Sequence, residues 1–169
     1  MTTLKTTLNF DLAVKFVSAL DMQTASAPGG LKRNYTLTDG AGLNAANRVF
    51  TDRRTISASS SENLDLAASL VDAFGATITF ARIKGIVVAA SSANTNNVLV
   101  GGAASNGFVN WVSDSSDVLV VRPGGLFVLL APDATGYAVT ASTGDMLKVA
   151  NSSSGSPVSY DIALIGAAS

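Results

Sequence analysis

Apolar positions alternate with polar ones over much of this chain, and the period is two. Leu8, Phe10, Leu12, Val14 and Phe16 face away from Asn9, Asp11, Ala13 and Lys15, which predicts a strand from Leu8. Leu12, Phe16 and Leu20 also share one helical face, so a helix over 11–20 is the competing reading. Ala25 to Gly30 holds a Pro-Gly-Gly turn signal, and Leu31 to Thr38 alternates as a strand with one wet face. Further strands are expected at Arg48 to Phe50 and Arg53 to Ala58, with a break near Thr51-Asp52, then at Asn63 to Leu66. Ala67 to Phe74 reads as one helical turn. Ala76 to Ala90 is rich in β-branched residues and carries Gly85, the mark of a bulge in a long strand serving two neighbours.

The second half continues the pattern. Val98 to Val100, Gly107 to Val112, Gly136 to Thr140, Asp145 to Ala150 and Pro157 to Ile165 read as strands, the third and fourth of these pairing across a turn. Asp117 to Ala131 is different, because Val118 to Val121 and Leu126 to Leu130 are apolar at successive positions. Such runs predict strands covered on both faces, joined as a central hairpin. Between them Arg122-Pro123-Gly124-Gly125 suits a type II turn, proline setting φ at the first central position and glycine accepting the positive φ at the second. About ten short strands with regular turn signals define an all-β chain, a jelly roll or related β-sandwich. Residues 1–30 are expected to form an N-terminal arm and first strand, with Met1 to Thr7 as an arm that orders on binding, and residues 31–169 the sandwich.

Composition narrows the chemistry. With 169 residues the chain suffices for a core without staples, and it holds neither cysteine nor histidine. Ser-His-Asp and Cys-His catalysis and the usual zinc sites are thereby excluded. Eleven basic and twelve acidic side chains give a net charge of −1, no general attraction to nucleic acid or an anionic membrane. The residues up to Lys84 are net +2 and the remainder net −3. The N-terminus lacks the apolar core of a secretory signal, so the chain is expected to be mature as written. No apolar run reaches the ~20 residues of a membrane span. A charged fraction of 14% is low beside the ~25% of ordinary domains, a composition suited to packing against copies or neighbours and also to a stable low-charge monomer.

Candidate chemistry is sparse. Asp114, Asp117, Asp133 and Asp145 could supply paired carboxylates, but their placement in loops fits turn formation better. Lys84 and Lys148 could serve a nucleophilic serine, though neither lies in a motif. Asp39 to Asn47, DGAGLNAAN, is a glycine loop without the lysine or helix start of a phosphate cradle, and reads as a connection. The densest basic cluster is Arg48, Arg53 and Arg54, and the only tryptophan is Trp111; these four are the candidate partner-binding residues. No catalytic residue, cofactor or metal is expected.

The runs DGAGLNAANRVFTDRRTIS, ENLDLAASLVDAFGATITFARIKGIVV, VRPGG and APDATGYAV resemble small virion structural proteins of tailed bacteriophages and prophages. The resemblance implies a non-enzymatic capsid cement or decoration protein, assembled in the host cytoplasm and located on the capsid surface. Its partners would be the major capsid protein or other virion proteins and its own copies, a trimer being favoured. A tail or head-to-tail connecting component is the alternative within the virion, and a carbohydrate-binding β-sandwich module is the alternative of another class.

Overall fold

A computed structural model describes residues 3–168, and among them there is no helix. Eleven strands follow one another: β1 (Thr6–Ala19), β2 (Thr24–Leu37), β3 (Arg48–Ile56), β4 (Ser61–Asp65), β5 (Arg82–Ala90), β6 (Val98–Gly101), β7 (Val118–Val121), β8 (Leu126–Leu130), β9 (Tyr137–Ala138), β10 (Met146–Asn151) and β11 (Val158–Ala167). They build three antiparallel sheets. One contains β1 and β2 alone, one runs β4-β10-β6-β7, and one runs β3-β11-β5-β8 with β9 added beside β5.

The pairing order is nested. β6 pairs β7, β5 pairs β8, β4 pairs β10 and β3 pairs β11, so the chain from β3 to β11 behaves as one long ribbon doubled back on itself. Successive pairs fall alternately into the two larger sheets. That wrapping is a jelly roll, the first of the expected architectures. Alternation along the strands then decides what is inside. Ile86 and Val88 of β5, Leu147 and Val149 of β10, Val98 and Val100 of β6, and Tyr160, Ile162 and Leu164 of β11 all point into one core.

Several local expectations change. β7 and β8 do not form a hairpin, because β7 belongs to the four-stranded sheet and β8 to the five-stranded one. The turn between them has the expected geometry: Gly125 N donates to Arg122 O over 2.7 Å, and Gly124 sits at φ 72°. It is a corner between sheets. Neither apolar run is covered on both faces in this chain, since Val118, Val120, Leu126 and Val128 are exposed. Consecutive apolar residues here mark one face toward the core and one face left open.

β3 runs unbroken through Thr51-Asp52, and the segment 67–74 forms turns rather than a helical turn. The long strand expected from Ala76 begins only at Arg82. Its irregularity lies where Gly85 signalled it: Ile165 stands opposite Gly85 and Gly166 opposite Ile83, leaving Lys84 as the extra residue of a bulge. Gly107 to Val112 is irregular apart from a single bridge from Gly107 to Met146. β9 pairs β5 and not β10.

The largest departure is at the N-terminal side. Ala25 to Gly30 is no turn but the first half of β2, and the chain reverses at Leu20 to Gln23, where Leu20 N donates to Gln23 O. The boundary expected at residue 30 thus falls inside a strand. Pro28 is tolerated because a two-stranded ribbon leaves an unpaired edge on each strand. Gly30 lets the strands approach, since a Cβ there would lie 2.7 Å from Leu12 O.

A candidate assembly surface

The β1-β2 ribbon is anchored at its base and free beyond it. Leu4 and Leu8 pack against buried Leu37, Ala46 and Ile165, with Val49 and Leu130 beside them, forming a satellite core on the outside of the five-stranded sheet. Leu4 N also donates to Asp39 Oδ1. Among the described residues the projecting element is the hairpin; of the expected arm Met1 to Thr7, Met1 and Thr2 lie outside the described residues, and Thr3 to Thr7 run into the anchored base. From Asn9 to Asn34 every residue of the ribbon is exposed.

Register assigns its faces. Leu8 stands opposite Tyr35, Phe10 opposite Arg33, Leu12 opposite Leu31, Val14 opposite Gly29 and Phe16 opposite Ala27. These pairs share one side. The other side carries Thr7 with Thr36, Asn9 with Asn34, Asp11 with Lys32 and Lys15 with Pro28. The Lys32–Asp11 ion pair, at 2.9 Å, lies on this wet side. One face of the arm is thus mainly apolar, with Arg33 as its charged member, and the other mainly polar, although Ala13, Val17 and Ala19 also lie there, and the mainly apolar face is continuous with the satellite core at its base. Phe16 near the tip is 77% exposed.

A second open apolar surface lies on the body. On the outer face of the five-stranded sheet, Leu126 and Val128 stand opposite Ala89 and Val87, which stand opposite Asp161 and Ala163, which stand opposite Arg53 and Thr51. Small side chains at Ala89 and Ala163 leave a shallow depression of about 580 Å³ there. Leu126 is 66% exposed and Val128 46%. The satellite core borders this face at Ile165 and Leu130.

The three arginines expected as one cluster are separated by strand alternation. Arg53 points outward and is held bidentately by Asp161, 2.6 and 2.9 Å away. Arg54 points between the sheets, donating to Glu62 Oε2 of β4 at 2.7 Å and to Asp52 Oδ2 at 2.7 Å. Arg48 donates to Asn47 O at the far end of β3. The carboxylates around Arg54 raise its affinity for its proton. Desolvation, then the charge of Glu62, pushes the Tyr160 phenol up. Trp111 is half-buried: its indole N–H donates to Phe108 O at 2.9 Å, and its ring packs tilted against Phe127, centroids 5.8 Å apart. It walls a cleft of about 350 Å³ between the edges of β7 and β8.

The loop carboxylates serve their own turns. Asp117 Oδ2 accepts from Ser113 N and Asp114 N, Asp133 Oδ1 from Thr135 N and Gly136 N, Asp114 Oδ1 from Ser116 N, and Asp145 Oδ2 from Ser142 N. Backbone donors hold Asp114 and Asp133 below the ordinary carboxylate range. Lys84 is fully buried and donates to Gly42 O at 3.1 Å and to Asp133 O, so it ties the glycine loop to the loop after β8. Burial lowers its pKa. Lys148 donates to Gly102 O. Among the described residues no three acidic side chains converge as metal ligands.

The alternation of Leu8 to Phe16 assigned this segment to a first strand that goes with an N-terminal arm over residues 1–30, ahead of the sandwich. What it missed is that the apolar side of this strand meets no second layer. Protein-family models, curated proteins and solved structures were all compared with the chain, and none matches.

Proposed function

We propose that this chain is a non-enzymatic structural subunit of a tailed-phage virion, a capsid cement protein that binds the shell and its own copies. One observation carries the reading: a ribbon anchored in the body holds a continuous row of apolar side chains in water. An isolated two-stranded ribbon is marginally stable, and an apolar row of this length is the mark of a surface made to be covered. The jelly-roll wrapping agrees with the resemblance, since viral capsid domains use it, although lectins and cupins use it as well.

The test is location. Particles of a phage carrying this gene are probed with an antibody against the chain and imaged, and the chain is quantified in the purified particles. Labelled heads at a copy number comparable with the shell's symmetry positions are expected. Labelled tails would replace cement with the connecting role, and particles lacking the chain would overturn the virion reading altogether.

A further inference from the structure

We infer that the hairpin arm of one copy lies with its apolar face on the outer face of the five-stranded sheet of a second copy, and that the exchange is reciprocal or closed into a ring. The inference deepens the proposed assembly role and rests on it, by naming the surfaces through which copies meet.

Two observations select a second copy as the occupant. Both surfaces are open and carry exposed apolar side chains, the sheet face bearing the self-paired Arg53 and Asp161 beside them, and both extend from the same satellite core around Leu8, Leu37, Leu130 and Ile165, so a docked arm would continue packing that the chain already uses. Their lengths also match. The free part of the arm from Phe10 to Ala19 spans about 33 Å at ~3.3 Å per residue, and β5, at the middle of the receiving face, spans about 30 Å.

Area decides in favour of exchange over a one-way contact. A ribbon about 33 Å long and two strands wide, roughly 10 Å, has a footprint of about 330 Å². A single such contact falls short of the ~800 Å² per partner of a stable interface. When each copy gives one arm and receives one, the covered area per copy doubles and approaches that value. A closed arrangement also leaves no arm unpaired, which a head-to-tail filament cannot achieve at its ends.

The chain lacks cysteine, so introduced thiols report cleanly. Single variants L12C, V14C and F16C on the arm are each mixed with V128C on the sheet face, in solution and without capsid, and oxidised. Lys15→Cys, on the wet side of the ribbon, is the control. Mixed disulfide dimers from at least one apolar-face variant, several-fold above the control, are expected. The double variant L12D/F16D should shift the mass measured by sedimentation from oligomer to monomer while its far-ultraviolet circular-dichroism spectrum keeps the parent's folded signature, because both residues are exposed in the single chain. A monomeric parent chain, cross-linking no better than the Lys15→Cys control, or an L12D/F16D variant that keeps its oligomeric mass would each overturn the exchange. A monomeric chain that still decorates particles would sink the exchange alone, whereas an exchanged oligomer absent from particles would sink the virion role alone.

Discussion

The hydroxyl of Tyr160 on β11 donates to Oε1 of Glu62 on β4 over 2.9 Å, joining the two sheets of the jelly roll through a polar contact at the edge of an otherwise apolar core. Glu62 Oε2 takes Arg54 at the same time, so one carboxylate holds two partners from the opposite sheet. Glu62→Ala removes the acceptor for both and leaves a buried phenol without a partner. The expected loss is about 2 kcal/mol of unfolding free energy, read from urea denaturation. Glu62→Gln should recover part of it, since the amide oxygen still accepts.

Arg53 gives the contrasting result. Its pair with Asp161 is better formed in geometry, yet the arginine side chain is 79% exposed. Exposed pairs gain little because water and salt screen them. Arg53→Ala should leave the denaturation midpoint almost unmoved, and far less changed than Glu62→Ala under the same conditions.

How much of this was legible in the residues differs from place to place. An all-β sandwich was legible because β-branched runs and the alternation over β11 mark strands and turn residues separate them, while the nested pairing that makes it a jelly roll is set by long-range contacts. The type II turn at Pro123-Gly124 was legible too, because its φ values demand those residues. Whether β7 and β8 pair with each other or with β6 and β5 was not, since a local turn is compatible with either and only long-range pairing chooses. Sequence placed Arg53 and Arg54 side by side, but neighbours in a strand point to opposite faces, so they meet different carboxylates, Asp161 outside and Glu62 with Asp52 between the sheets. An N-terminal arm was expected, but its form as a β1-β2 hairpin was hidden, because the Pro-Gly-Gly run read as a turn and an alternating strand looks the same whether or not a second layer covers it.

Gly166 tests the bulge in β5. A Cβ at this residue would collide with Arg82 O and approach Phe80 Cδ1 to 2.7 Å, and the first of these is backbone that cannot move aside. Gly166→Ala should cost on the order of 3 kcal/mol or prevent folding. Gly124→Ala, where a Cβ meets only Ser92 at 3.5 Å, suffers backbone strain alone. About 1 kcal/mol is expected there, and thermal melts of the two variants side by side would distinguish clash from strain.

Acid should weaken the fold through two turn aspartates and through Asp161, which Arg53 holds on β11. Asp114, Asp133 and Asp161 bind protons less readily in the folded chain than ordinary carboxyls do. The unfolded chain therefore takes up protons first as pH falls, and stability declines from the ordinary carboxylate range, about 4, down through the lower folded values. Lys84 acts at the other end: its folded pKa is lowered, so stability rises with pH between that value and the ordinary lysine value near 10.4. Denaturation midpoints across acid and alkaline series should show both slopes, and Asp133→Asn should flatten the acid one.

Removing the arm should spare the body. Joining Asn9 to Asn34 through an Asn-Gly turn deletes only exposed residues and keeps Leu4, Leu8 and Leu37 in the satellite core. The shortened chain should melt within a few degrees of the parent and sediment as a monomer. Loss of folding would mean that the ribbon contributes to the body after all.

The corner at Pro123-Gly124 has a mechanical meaning. β7 and β8 are the outermost strands of their sheets on one side, and β3 and β4 are the outermost strands on the other. Each of these outer pairs is joined by a link of four residues, 57–60 and 122–125. Lateral tension that tries to peel an outer strand from one sheet therefore pulls at once on the outer strand of the other. The sheets resist such a load as a laced sleeve does, sharing it across both layers, with no hydrogen bond needed between them along those sides.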